Sequence, residues 1–281
     1  MTGAADWTAR VGQVWADEHA RTERAFAGIA AVLDAGIRAL APASGHAVDI
    51  GCGVGSTALA IAAARPALRV TGVDLSSALV EVARRRTPAG GPAFIVGDAG
   101  DVLPTLAPLD LLVSRHGVMF FADPLAAFRT MARAAAPDAP LVFSCFRARA
   151  ENDWSCAVDR AIGVTPVAGG YAPGPYGLAD RDVTADLLRR AGWRDVRAHA
   201  HEVRYVVGAG DDPVGDALGF FRRIGSAAAV LAAADAAGRA RLEARLAEML
   251  ATRIRDGAVT FNAAIWLWSA RAPARTGEEQ E

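Results

Sequence analysis

The stretch Val48-Asp49-Ile50-Gly51-Cys52-Gly53-Val54-Gly55 constrains this chain more than any other. A short apolar strand over 47–50 runs into glycines at three alternate positions, and the spacing predicts a helix over 57–64, ended before Pro66. Glycines in such a place allow a tight turn and let the backbone close on a ligand. The strand–turn–helix unit then repeats. Strands are predicted over 69–73, 93–96, 109–114 and 141–146, with helices over 77–86 and 124–136. The strands are nearly continuous in apolar residues, as strands covered on both faces should be. Strands alternating with helices predict an α/β fold with a Rossmann-like, mostly parallel sheet.

The flanks are less regular. Val11, Val14, Trp15, Phe26, Ile29, Val32, Leu33, Ile37 and Leu40 fall at helical spacing and predict two helices, so 1–45 reads as an N-terminal helical cover over a core at 46–146. Residues 147–178 are rich in Gly and Pro, notably Gly169-Gly170-Tyr171-Ala172-Pro173-Gly174-Pro175-Tyr176-Gly177, and read as a long loop or lid. A helix over 180–191, a strand over 196–207, an Ala-rich helical insertion at 211–257 and a last strand over 259–270 complete the core. The polar tail at 271–281 is expected to be disordered.

Composition narrows the partners. At 281 residues and 52% apolar content the chain suits one large domain, or one domain with an elaborated cap. Its formal charge of −1 argues against nucleic acid, whose binders carry a basic patch. All thirty basic residues are Arg, which with the abundant Ala reads as a bias of genome composition. Cys52, Cys145 and Cys156 are odd in number and lack metal-site or disulfide-framework spacing. No apolar leader and no run of eighteen apolar residues appear, so a cytoplasmic protein without a membrane span, monomeric or homodimeric, is expected.

The glycines are spaced G-x-G-x-G, not G-x-G-x-x-G, and Asp49 lies two residues before the first. A carboxylate there would repel a pyrophosphate but can orient the ammonium of an amino-acid moiety. That favours S-adenosylmethionine (SAM) over NAD. Asp74, ending the next strand, can accept both hydroxyls of a ribose, and would do so for either cofactor. Asp98, in Gly97-Asp98-Ala99, can accept from an adenine amino group, with Leu75 and Ala99 packing on the ring. Any one of these acids could be a helix cap. All three fall at successive strand ends, on the edge where open α/β sheets bind ligands.

With these motifs and the run Asp110-Leu111-Leu112-Val113-Ser114-Arg115-His116-Gly117-Val118-Met119-Phe120-Phe121-Ala122-Asp123-Pro124, the chain resembles the class I SAM-dependent methyltransferases, in the bacterial branch similar to ubiquinone/menaquinone C-methyltransferases. The resemblance covers roughly 10–207 and the closing strand. It implies a seven-stranded sheet with an antiparallel last strand, and S-adenosylhomocysteine as product. It also implies roles: Asp49, Gly51 and Gly53, with Cys52 in the same loop, at the methionine part; Asp74 at the ribose; Asp98 and Ala99 at the adenine. Ser114 and Arg115 would line the floor beneath the sulfonium, and Trp15 and Arg21 would lie over the cofactor. Many relatives carry an aromatic residue where this chain has His116.

Methyl transfer is an in-line displacement that needs mostly positioning and exclusion of water. Where the acceptor is a hydroxyl or an acidic carbon a base helps, and His116 is the candidate catalytic residue; the alternative is that it shapes the pocket. Tyr171 and Tyr176 could close over the acceptor. His199 and His201 share a strand face near Glu202, but without a third convergent ligand no metal is expected. Trp266 and Trp268 read as core, Cys52 as close packing, and Asp123-Pro124 as a helix cap. The expected activity is O- or C-methylation of a small, partly hydrophobic molecule. A SAM-binding protein of non-methylating function and an NAD(P)-dependent oxidoreductase are the alternatives.

Overall fold

The computed structural model describes residues 4–165 and 171–274. Residues 166–170 of the expected lid and 275–281 of the expected tail lie outside the described residues. Eight strands form one sheet: β1 (Gly45–Ile50), β2 (Leu68–Asp74), β3 (Ala93–Val96), β4 (Leu111–Arg115), β5 (Pro140–Phe146), β6 (Arg194–Gly208), β7 (Ile254–Arg255) and β8 (Ala258–Arg271). Their order is β3-β2-β1-β4-β5-β8-β6. The first five are parallel, β8 runs antiparallel to both β5 and β6, and the short β7 folds back on β8. Apart from β7, this is the seven-stranded sheet that the resemblance implies.

The helices are α1 (Ala4–Trp7), α2 (Arg10–Asp17), α3 (His19–Ala25), α4 (Ala27–Leu40), α5 (Ser56–Ala64), α6 (Ser77–Arg86), α7 (Ala99–Leu106), α8 (Pro124–Ala134), α9 (Asp153–Ile162), α10 (Arg181–Arg190), α11 (Pro213–Arg223), α12 (Ser226–Ala233) and α13 (Ala236–Ala251). Three expectations change. The cover has four helices where the periodicity predicts two: α1 precedes the periodic residues, and the backbone leaves helical geometry at Glu18 (ψ 11°) and Phe26 (ψ 3°). The second break turns the Phe26 ring inward, while Ile29, Leu33 and Ile37 face the sheet. α7 was not expected; it contains Pro104 and buries only Leu103, so it carries no helical stripe. The segment read as loop over 147–178 holds α9, whose buried face includes Ala157, Val158, Ala161 and Ile162.

Alternating strand residues serve two cores. Leu111, Val113 and Val142 pack with Leu33 and Ile37 of α4 and Ile61 of α5. Leu112, Leu141 and Phe143 pack with Phe128 and Met131 of α8 and Leu188 of α10. This two-sided cover explains the continuous apolar runs. The chain leaves β1 toward β2 on one side and later fills β4 on the other, which opens a crevice at the C-terminal ends of those strands. No helix among the described residues is long and apolar enough to cross a membrane.

Candidate functional site

The glycine loop lies over that crevice. Gly51 has φ 65° and packs against Gly117 after β4: a Cβ on Gly51 would stand 2.9 Å from the Gly117 Cα. A Cβ on Gly117 would stand 2.7 Å from the Ile50 carbonyl oxygen. The two strand ends therefore meet backbone to backbone, and neither position tolerates a side chain. Gly53 (φ 54°) is the opposite case, since a Cβ there would meet nothing within 4 Å. One glycine closes the crevice and the other opens onto free space.

Asp49 lies beneath the loop, buried. Its Oδ2 accepts from the Ala58 N–H at 3.1 Å, and its Oδ1 is buried without a partner. Burial pushes its carboxyl up to about 7, against the opposing pull of Arg115. Such a carboxylate is completed by a cation that brings N–H donors, as a ligand ammonium does. Asp74 accepts from Gly53 N and Ser76 N, each at 2.8 Å, and burial also raises its carboxyl above the ordinary value. Asp98 caps α7 by accepting from Gly100 N at 2.7 Å and is exposed. Both acids thus do the turn and cap work that sequence allowed, while each carboxylate oxygen keeps a lone pair for a hydroxyl or amino donor. Leu75 and Ala99 stand half-buried beside them. The orphaned Asp49 oxygen and the open face of Gly53 fit the amino-acid part of SAM.

Two of the expected contacts take a different form. The Cys52 thiol packs with Phe94 and Val70 in the core shared with α4 and α5 and donates to Gly53 O at 3.8 Å; its N–H donates to Val73 O at 3.1 Å. The Ser114 hydroxyl is used up by the backbone. It donates to Ile50 O at 2.7 Å and accepts from Gly117 N and Val118 N at 3.2 and 3.3 Å, so it pins the floor from below. Arg115 pairs with Glu23 of α3 at 2.5 Å.

The cover closes the crevice from above. Gly12 of α2 packs so tightly on the start of α6 that a Cβ would fall 2.2 Å from the Ser76 Oγ. Trp15 is in ring contact with Trp7 and Phe26, and Trp7 with Phe120. Arg21 is placed otherwise: its guanidinium binds Glu18 at 2.8 Å and Asp216 of α11 at 2.7 Å, tying the cover to the insertion.

His116 follows the floor. Its backbone is left-handed (φ 60°), its N–H donates to Ser144 O at 3.1 Å, and its Nδ1 shares a 2.9 Å hydrogen bond with Ser144 Oγ. Nε2 is buried without a partner. Burial, then Arg115, pushes the ring's pKa down to about 3, so it is neutral. Around it stand Phe26, Phe146 and Tyr205, with Trp154 and Tyr176 beyond, in successive ring contacts of 4.4 to 6.4 Å. Tyr176 therefore joins this group, whereas Tyr171 lies on the rim, its hydroxyl donating to Phe121 O. Sequence reasoning did not mark Phe26, Ser144, Phe146, Trp154 or Tyr205 as site residues. The available signal was weak: Val203, Tyr205 and Val207 alternate inward along β6. A cleft of about 520 Å³, lined by Arg181, Arg189, Arg197 and His199, lies between α10 and β6 and shares none of these residues.

Comparisons with known proteins agree with this geometry. A family model described as a methyltransferase domain matches residues 48–143, from β1 into β5. A trans-aconitate 2-methyltransferase of Acidovorax sp. (strain JS42) is 25% identical over 199 residues, which are 71% of this chain and 62% of the relative. The chain thus spans less than two thirds of that relative. One of Paracidovorax citrulli (strain AAC00-1) is 30% identical over 216 residues, covering 69% of this chain and 79% of the relative. Among solved structures, the Haemonchus contortus phosphoethanolamine N-methyltransferase 2 in complex with SAM matches the fold with a TM-score of 0.56 and 17% identity, over 97% of this chain and 60% of that one. These matches carry the broad class and not its quinone branch. Together with the strand order, the glycine loop and the acids at successive strand ends, they place the chain in the class I SAM-dependent methyltransferases.

Proposed function

We propose that this chain binds SAM along the glycine loop and transfers its methyl group to a small, partly hydrophobic acceptor held beside His116, with oxygen the favoured atom and carbon next. One observation carries the reading. Two buried acceptors without partners, Asp49 Oδ1 and His116 Nε2, flank the Gly51–Gly117 contact. The first suits a ligand ammonium and the second a hydroxyl. Asp49, Gly51 and Gly53 would hold the amino-acid part, Asp74 the ribose, and Asp98 with Leu75 and Ala99 the adenine. Bound there, SAM supplies a methyl carbon made electrophilic by its sulfonium.

The chain's own residues do the rest. The helical cover and Tyr176 exclude water, so the polar contacts inside are made in a poorly screened space. A neutral His116 accepts the acceptor's O–H at Nε2 and sets the oxygen's direction. As the oxygen gains carbon, its proton becomes far more acidic than an imidazolium proton. Even a strongly depressed Nε2 therefore takes it late in the transfer.

The test has two arms. Calorimetric titration should show SAM and S-adenosylhomocysteine binding and NAD failing to bind. Release of S-adenosylhomocysteine over a metabolite panel, starting with trans-aconitate because relatives are named for it, should then find an acceptor. Failure to bind SAM sinks the reading; binding without turnover leaves only a SAM-binding protein.

A further inference from the structure

We infer that the acceptor chamber selects by charge, and takes an uncharged aromatic hydroxy compound while refusing a carboxylate such as trans-aconitate. This rests on the methyl-transfer reading above, since it identifies what the chamber beside His116 holds.

The surroundings of His116 are a cluster of rings in contact, Phe26, Phe146, Trp154, Tyr176 and Tyr205, against which the acceptor would lie. Rings in offset and edge-on contact are replaced with least loss by another flat ring. A carboxylate placed there must shed its water, which is costly unless a cation meets it. The cations bordering these rings are already taken. Arg115, beside His116, holds Glu23 at 2.5 Å, and Arg149, over the Tyr176 ring, holds Asp159 at 2.5 Å. A cation fares no better, although ring faces attract one. The Arg149 guanidinium already covers the Tyr176 ring at 5.3 Å, and Arg115 adjoins His116. What remains unsatisfied among these rings is His116 Nε2 and the Tyr176 hydroxyl, two buried atoms that match a hydroxyl on an otherwise apolar body.

The test uses the full chain saturated with S-adenosylhomocysteine and three probes that differ in charge: 2-naphthol, 6-hydroxy-2-naphthoate and 6-(aminomethyl)-2-naphthol. By calorimetry, 2-naphthol should bind at least tenfold more tightly than either charged probe, and trans-aconitate should give no measurable heat. His116→Asn, a residue that tolerates φ 60°, should weaken 2-naphthol about tenfold and leave S-adenosylhomocysteine binding unchanged. Asp159→Asn, which frees Arg149, should tighten 6-hydroxy-2-naphthoate at least fivefold. A charged probe or trans-aconitate binding as tightly as 2-naphthol overturns the inference, as does the absence of binding by all three. So does an unchanged naphthoate affinity in an Asp159→Asn chain that still binds S-adenosylhomocysteine. Failure of the wild-type chain to take up S-adenosylhomocysteine defeats the cofactor reading itself, and this one with it.

Discussion

His116 occupies a backbone region that a non-glycine residue rarely adopts, with φ 60°, and two bonds to Ser144 hold it there. Its role is therefore separable from its fold. With Ser144→Ala the ring loses its orientation but not its place, so turnover should fall about tenfold while SAM affinity stays within twofold. A matching loss of SAM affinity would make Ser144 merely structural. Because burial and Arg115 hold the His116 pKa near 3, its protonation should put no limb into the pH profile of turnover between pH 5 and 8. A limb near the ordinary imidazole value that disappears in His116→Asn would contradict this. Gly117 is the stricter position. A methyl group there meets the backbone carbonyl of Ile50 at 2.7 Å and not a yielding side chain. Gly117→Ala should cost about 2–3 kcal/mol in urea unfolding and abolish SAM binding. At this scale the sequence was informative where chemistry is local. Asp49, Asp74 and Asp98 could be found because each lies at or just beyond the end of its own strand. Ser144 could not, because it lies 28 residues from its partner.

The elements show the same division. The spacing predicts residues 77–86 and 93–96 with the bounds of α6 and β3, since both are short patterns read in one dimension. α7 and α9 were missed, one because Pro104 interrupts it, the other because the Gly/Pro-rich run at 169–177 extends the loop reading back over the buried stripe of Val158, Ala161 and Ile162. The aromatic cluster was out of reach for another reason: its rings come from the α3–α4 junction, the turn after β4, the end of β5, α9, the segment before α10 and β6. Only the sheet order brings them together. Asp216 is one of the side chains that anchor the insertion to this assembly, beside Arg223, which pairs with Asp17 and Glu18. Asp216 of α11 accepts from Arg21 at 2.7 Å, from Arg24 at 2.5 Å and from Ala209 N at 3.1 Å. Asp216→Ala removes all three acceptor contacts at a partly buried position, and should cost about 1–3 kcal/mol. Hydrogen exchange should quicken in α3 and α11 while SAM affinity is kept. Exchange unchanged in both helices would show that the remaining contacts hold the insertion without Asp216.

For the whole molecule, stability and cofactor binding are coupled through Asp49, and pH exposes the coupling. Burial raises its carboxyl from 3.8 to about 7 in the ligand-free chain. The folded state therefore binds this proton more tightly than the unfolded state does. Its contribution is complete below pH 4 and is lost as pH rises through about 7. The shift corresponds to a loss on the order of 4 kcal/mol by pH 8. A ligand ammonium reverses the term, since it favours the charged form that the empty site penalises. SAM affinity should accordingly rise between pH 6 and 8. At a hundred times its Kd, SAM should return roughly 2.7 kcal/mol of stability. His46 acts in the opposite sense, because burial, with Arg69, lowers its pKa and so weakens the fold as pH falls. The comparison must therefore be between the wild-type chain and Asp49→Asn. The Asn side chain can still accept from Ala58 N but carries no charge at any pH. Asp49→Asn should melt at a higher temperature than wild type at pH 8 and close to it at pH 5, while binding SAM at least tenfold more weakly at both ends of the range 7–8. Should the variant melt lower than wild type at pH 8, the buried carboxylate stabilises the empty fold, and the coupling between an unpaired acid and the cofactor that completes it is wrong.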